Sequence, residues 1–283
     1  MRIVLLPGGS GKRLWPLSNG YRSKQYLSLL DGPNGKPESM VQRLWRQLAE
    51  ADLQEHAHFS VCKQQVELLI EQIGAKTPII VEPEQRETFA AAALAAAYLY
   101  SIAGVSLNEP VIIIPVDAYV ESDFFQCIRS LPKLLRESGS DLLMVGTKPE
   151  WATEQYGYIL PEEDLLDEET ILMDCGVQMY KERPPEREAK ILMEKGALWN
   201  SGVYAFRLDY LINLLMERGI PIHYDELHMY YSKLSDSTFE KEVVERETSI
   251  SVVRYDGLWK DLGCWKMLSE SLAMQKTSAN KQK

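Results

Sequence analysis

The chain has 283 residues, 45% of them hydrophobic, enough to bury a sizeable core. Its 31 basic and 41 acidic residues leave a net charge of −10, which excludes a general nucleic-acid binder, because phosphate backbones are held by clustered positive charge. No apolar run approaches the roughly 18–20 residues of a membrane span, and the N-terminus lacks the features of a secretory signal, so the expected location is cytoplasmic.

Strand-length and helix-length apolar runs alternate through the first half. Ile3–Leu6 reads as a strand entering the glycine turn at Gly8 and Gly9. Helix is predicted at Met40–Ala51, strand at Phe59–Lys63, helix at Gln64–Ile73 and strand at Ile79–Glu82. The alanine-rich stretch Thr88–Ala103 predicts a buried helix with Thr88 as N-cap. Val111–Pro115 is a β-branched run expected of a strand covered on both faces. Asp123–Glu137 reads as helix and Asp141–Gly146 as strand. This order predicts an α/β, Rossmann-like fold: a mixed, mostly parallel sheet with helices on both faces.

After residue 150 the pattern is mixed. Strands are expected at Gly157–Leu160 and Val177–Tyr180, around an acidic turn at Glu162–Glu169. Lys181–Lys195 reads as loop and helix, Trp199–Arg207 as strand, Leu208–Arg218 as helix and Ile250–Tyr255 as a late strand. Trp265–Met274 is predicted helical, and Gln275–Lys283 is a polar tail. Residues 1–274 read as one domain. Cys62, Cys127, Cys175 and Cys264 lie too far apart for a disulfide framework or a zinc site. His56, His58, His223 and His228 read as solvated loop residues.

The chemistry concentrates in Gly8-Gly9-Ser10-Gly11-Lys12-Arg13-Leu14-Trp15-Pro16-Leu17-Ser18. A glycine-rich turn after a strand lets backbone N–H groups surround anionic oxygens, and Lys12 and Arg13 add charge there. A Walker A loop fails because Leu6 stands where its first glycine belongs and Arg13 replaces its Ser or Thr. The dinucleotide fingerprint fails at Leu14, which leaves a Rossmann dehydrogenase a distant third reading. Asp117 follows the apolar strand, where parallel sheets place ligand-binding groups. Taken alone, Asp117 reads first as a strand-end cap or turn former, Asp261 as a loop aspartate beside Gly263, and Lys24 as a surface lysine.

The glycine string followed by Ser23-Lys24-Gln25 resembles the signature of sugar-1-phosphate nucleotidyltransferases, most of all their mannose-1-phosphate guanylyltransferase branch. Further matches follow in order: Glu82-Pro83 with Arg86-Glu87-Thr88, Ile114-Pro115-Val116-Asp117, Tyr156-Gly157-Tyr158-Ile159, Glu182-Arg183-Pro184, Trp199-Asn200-Ser201-Gly202 and Trp259-Lys260-Asp261-Leu262-Gly263-Cys264-Trp265. The resemblance implies transfer of a nucleotidyl group, GMP from GTP, to a sugar 1-phosphate, with release of pyrophosphate. It implies Arg13, Lys24 and Asp117 as catalytic residues, with Mg²⁺ held by Asp117 and Asp261. Gly8, Gly9, Ser10, Gly11, Lys12, Glu82, Arg86 and Thr88 would bind the nucleotide. Gly157, Glu182, Arg183 and Asn200 would bind the sugar phosphate.

Departures from the branch are Lys12 for threonine, Ser23 for proline, Ala118 for histidine and Arg183 for lysine. They leave open a manno-heptose or another sugar, a thymidylyl- or uridylyltransferase, and an inactive GDP-sugar sensor. A homodimer is the expected assembly, with no nucleic-acid or membrane partner.

Overall fold

The computed structural model describes residues 1–8, 23–162 and 174–262. The predicted helix at Trp265–Met274, the tail, most of the acidic turn, Cys264 and the site candidates Gly9, Ser10, Gly11, Lys12 and Arg13 lie outside them.

Strand β1 (Arg2–Leu6) leads, beyond Gly8, to the short hairpin β2 (Leu30–Asp31) and β3 (Pro37–Glu38) and then to α1 (Met40–Glu50). Helix α1 starts on a capping box. The Ser39 hydroxyl accepts from Gln42 N at 3.1 Å, and the Gln42 side chain accepts from Ser39 N at 3.0 Å, satisfying two N–H groups that the helix geometry orphans. The βα alternation then continues through β4 (Ala57–Cys62), α2 (Val66–Ile73), β5 (Ile79–Glu82), α3 (Thr88–Ser101), β6 (Pro110–Pro115), β7 (Ala118–Val120), α4 (Asp123–Ser138) and β8 (Leu142–Thr147).

The second part comprises β9 (Tyr158–Pro161), β10 (Asp174–Lys181), α5 (Glu186–Glu194), β11 (Leu198–Arg207), α6 (Leu208–Glu217), α7 (Tyr224–Tyr230), α8 (Phe239–Glu242), β12 (Ile250–Tyr255) and β13 (Trp259–Asp261). Among the described residues, nine strands form one mixed sheet in the order β5-β4-β1-β6-β11-β8-β12-β10-β9. The neighbours β5, β4, β1 and β6 are parallel. Strand β11 lies between β6 and β8, antiparallel to both. It also pairs with β9, so β9, β11, β8, β12 and β10 close a circuit of pairings. Gly146 is required inside it: a Cβ there would stand 2.9 Å from Leu198 Cβ.

Period-two alternation divides the core between the faces of the sheet. Val4, Val111 and Ile113 face α3, α6, α7 and α8. Ile3, Leu5, Ile112 and Ile114 face α1, α2 and α4. Helix α3 is the clearest case: its alanines from Ala90 to Ala97 are all buried, which lets the helix lie close against the sheet and α6. A third cluster joins Tyr156, Tyr158 and Trp199 to α5.

Two expectations need correction. The N-cap of α3 is Glu87, not Thr88. Thr88 is the first helical residue, and its hydroxyl instead accepts from Phe239 N at 2.8 Å, at the start of α8. His58 and His228 are not loop residues: His228 lies in α7, and His58 is buried in β4, where burial and the nearby Arg2 hold its imidazole below the ordinary range. The elements missed by periodicity are all short: β2, β3, β7, β13, α7 and α8.

Candidate functional site

The chain leaves β1 toward β4 and β5 on one side and later returns as β6 on the other. The crevice at the carboxyl ends of β1 and β6 is therefore the switch point where open α/β sheets place ligands. Gly8 follows β1 there, and Asp117 follows β6.

Two separate segments converge on Asp117. The antiparallel pairing of β13 with β7 sets Asp261 opposite Ala118, and Leu262 N donates to the Asp117 carbonyl at 3.0 Å. Lys24 lies in a buried 3₁₀ turn, Lys24–Tyr26, and is itself only 9% exposed. Its Nζ stands 2.8 Å from Asp117 Oδ2 and 3.7 Å from Asp261 Oδ1. Next to it, Gln25 Nε2 donates to the Gly8 carbonyl at 2.6 Å, which ties the turn to the exit of β1. The Lys24 ammonium thus stands within ion-pair distance of both acids. No group of three or more His, Cys, Asp or Glu side chains suited to a metal occurs among the described residues. A pair of carboxylates suits Mg²⁺, which takes one or two of them and completes its octahedron with phosphate oxygens and water.

Beside this crevice a cavity of about 420 Å³ is lined by Gly8, Ser60, Glu82, Arg86, Thr88 and Asp236. All four described nucleotide-binding candidates therefore reach one space. Glu82 forms its floor, accepting from the hydroxyls of Ser60 and Tyr231 at 2.8 Å each. Burial pushes its carboxyl above the ordinary range, and those two hydrogen bonds oppose the shift. Arg86 lines the cavity, but its donors are engaged by the protein. Nη1 bonds the Leu234 carbonyl at 2.8 Å, Nη2 the Ser232 carbonyl at 2.6 Å, and Nε the Glu84 carboxylate at 2.8 Å. It fastens residues 232–234, two residues before Asp236 of the cavity lining.

The remaining candidates meet at the start of β11. Asn200 N donates to the Gly157 carbonyl at 2.9 Å. The Asn200 amide nitrogen donates to the Tyr204 hydroxyl at 2.7 Å and the Tyr180 hydroxyl at 3.2 Å, while Oδ1 accepts from Gly202 N at 2.9 Å. An amide NH₂ can only donate, so both phenolic protons turn outward onto acids. Tyr180 donates to Glu182, and Tyr204 donates to Glu240 at 2.7 Å. Burial is the main cause that raises the Glu182 carboxyl and both phenols above their ordinary ranges. Arg183, half exposed at φ +44°, reaches Glu182 at 3.2 Å. Two phenols thus link one buried amide to two carboxylates, Glu182 and Glu240.

Motif reading named Gly157, Glu182, Arg183 and Asn200 but missed Tyr180, Tyr204 and Glu240. Tyr180 lies in β10, two residues before Glu182, which follows the end of that strand. This cluster is joined to the crevice by Gly202, at φ +77°, where a Cβ would stand 3.1 Å from the Pro115 ring.

The profile of the nucleotidyl transferase family matches residues 2–278. The chain belongs to that family. The alginate biosynthesis protein AlgA of Pseudomonas syringae pv. tomato is 28% identical over 94% of this chain and 57% of its own length. The mannose-1-phosphate guanylyltransferase of Sinorhizobium fredii is 27% identical over 93% of this chain and 53% of its own. The nucleotidyl transferase chain thus spans little more than half the length of these curated relatives. Among solved structures, one described as a mannose-1-phosphate geranyltransferase from Thermus thermophilus superposes with a TM-score of 0.78 at 24% identity. It covers 96% of this chain and 79% of its own. HddC from Yersinia pseudotuberculosis, complexed with GMP-PN, gives 0.61 at 18% identity, covering 97% and 99%. Both share the fold.

Proposed function

We propose that this nucleotidyl transferase family member transfers GMP from GTP to a sugar 1-phosphate of manno configuration and releases pyrophosphate. The observation that carries this reading is the meeting of Lys24, Asp117 and Asp261 at the switch point, beside the Gly8–Glu82 cavity. The names of the relatives support mannose 1-phosphate and GTP as the reactants.

In this reading the nucleoside enters the cavity over Glu82, with its phosphates toward Gly8 and Lys24. The acceptor sugar lies against Gly157, Glu182, Tyr180 and Glu240, with its phosphate toward Arg183. A non-bridging oxygen of the sugar phosphate bonds the α-phosphorus as the bond from that phosphorus to the pyrophosphate oxygen breaks. The attacking oxygen is already ionised at neutral pH, so no general base is required. What remains is to align two polyanions and to neutralise their charge. Mg²⁺, held by Asp117 and Asp261, would supply charge neutralisation on the phosphates. Lys24 orients a phosphate as a point charge. Arg13 and Lys12 enter through the resemblance alone.

Incubation of the purified chain with Mg²⁺, mannose 1-phosphate and each of GTP, UTP, dTTP and ATP tests the reading. Pyrophosphate release highest with GTP is expected. Preference for UTP or dTTP would move the chain to a uridylyl- or thymidylyltransferase, and binding of GDP-mannose without turnover to a sensor.

A further inference from the structure

We propose that Lys24 is a built-in counter-ion of the Asp117–Asp261 pair, one that suppresses divalent-cation binding until an incoming phosphate draws its ammonium away. This rests on the metal role assigned to the pair under Proposed function.

The geometry is that of a cation already seated. Nζ is within ion-pair distance of both carboxylates, at 2.8 and 3.7 Å. Neither side is loosely held. The lysine turn is closed by Tyr26 N on the Ser23 carbonyl and Leu27 N on the Lys24 carbonyl, each at 3.1 Å. The acids are fixed by the β7–β13 ladder. The lysine side chain is 11% exposed, whereas those of Asp117 and Asp261 are 30% and 22% exposed, so the carboxylates stay reachable from solvent.

These three groups sum to a charge of −1, where the two acids alone would present −2. An ammonium at this range weakens the attraction for a second cation and engages an oxygen lone pair that the cation would need. Mg²⁺ gives up its water reluctantly, so a partly neutralised pair is a poor site for it. A phosphate offers Lys24 an alternative anionic partner, and the compact ammonium on a flexible stem can exchange one for the other. Phosphate and metal then favour one another's binding, and this coupling is reciprocal. Lys24 is in this respect a positioning residue for the metal ligands, in addition to its role toward phosphate.

The test is Mn²⁺ affinity without nucleotide, read from the free-ion electron paramagnetic resonance signal, for wild type, Lys24→Met and Lys24→Arg. Lys24→Met is expected to bind Mn²⁺ at least about tenfold tighter than wild type, because the site regains a full negative charge. Lys24→Arg, still a cation, should stay within about twofold of wild type. Adding Asp117→Asn to Lys24→Met should abolish the gain. Unchanged or weaker affinity in Lys24→Met, an equal gain in Lys24→Arg, or a gain surviving Asp117→Asn would overturn the proposal. If circular dichroism shows Lys24→Met misfolded, Lys24→Gln replaces it with the same expectations. Wild-type turnover is scored separately. Its absence alongside the Mn²⁺ gain overturns the proposed activity and not the counter-ion, and turnover without the gain does the reverse.

Discussion

The backbone N–H of Leu262 donates to the carbonyl of Asp117, and this bond joins positions 145 residues apart at 3.0 Å. Together with the pairing of Asp261 opposite Ala118, it sets the two acids in register, so neither slides along the ladder alone. Asp117→Asn and Asp261→Asn should therefore each lower kcat by about 100- to 1,000-fold while leaving the circular dichroism spectrum unchanged. Steady-state kinetics at saturating Mg²⁺ checks this. Full activity in either variant would remove that acid from the centre.

Gly157 has no room for a side chain. A Cβ there would strike the Tyr180 hydroxyl and stand 2.7 Å from Glu182 Oε2. Gly157→Ala should displace both groups and raise KM for the sugar 1-phosphate on the order of tenfold or more. KM for GTP should hold, because the nucleotide cavity is lined by other residues. Equal changes in both constants would show that the two pockets are not separate.

Glu82 ties stability to pH. Burial raises its carboxyl above the ordinary value near 4.5, so the folded chain holds this proton to higher pH than the unfolded chain. Its contribution is fully present below the ordinary range and is lost as pH rises through the folded value. The loss is at most about 1.4 kcal/mol per pH unit for one proton. Glu82→Gln keeps partners for Ser60 and Tyr231, whose hydroxyls can donate or accept, and should remove this share of the slope. Urea unfolding from pH 5 to 8 measures it, and identical slopes would contradict the assignment.

Arg86 separates a structural role from a phosphate-binding one. Its fork holds the carbonyls of Ser232 and Leu234, a geometry that lysine does not reproduce. Arg86→Lys should lose about 2 kcal/mol, nearly as much as Arg86→Ala, and both should weaken GTP by loosening the 232–234 segment that leads to Asp236 of the cavity lining. If lysine restores GTP affinity and stability together, charge and not geometry is what the cavity needs.

Much of the parallel half was legible because a strand buried on both faces leaves a continuous apolar run, as Val111–Pro115 does, and because alanine persists where a helix must lie close, as in Ala90–Ala97. Pairing order is another matter. Nothing in the periodicity of Leu198–Arg207 says that it inserts antiparallel between β6 and β8, since alternation records which faces are covered and not by which neighbour. The site divided along the same line. Asp117, Asp261 and Lys24 stood in motifs and were found together. Arg86 stands in the motif as a nucleotide-binding candidate, and only the folded chain brings the carbonyls of Ser232 and Leu234 onto its guanidinium. Tyr204 and Glu240 carry no local signature; their significance comes from the amide of Asn200 between the two phenols.

Strand β11 holds that amide at one end and rests Gly202 on Pro115, two residues before Asp117. It acts as a ruler laid between the Tyr180–Glu182–Glu240 cluster and the Lys24–Asp117–Asp261 centre. If the proposed function holds, positions 180, 182 and 240 could be re-lettered to suit another sugar without changing the distance that the ruler fixes. Acceptor choice would then drift in such a chain while the reacting centre stays as it is.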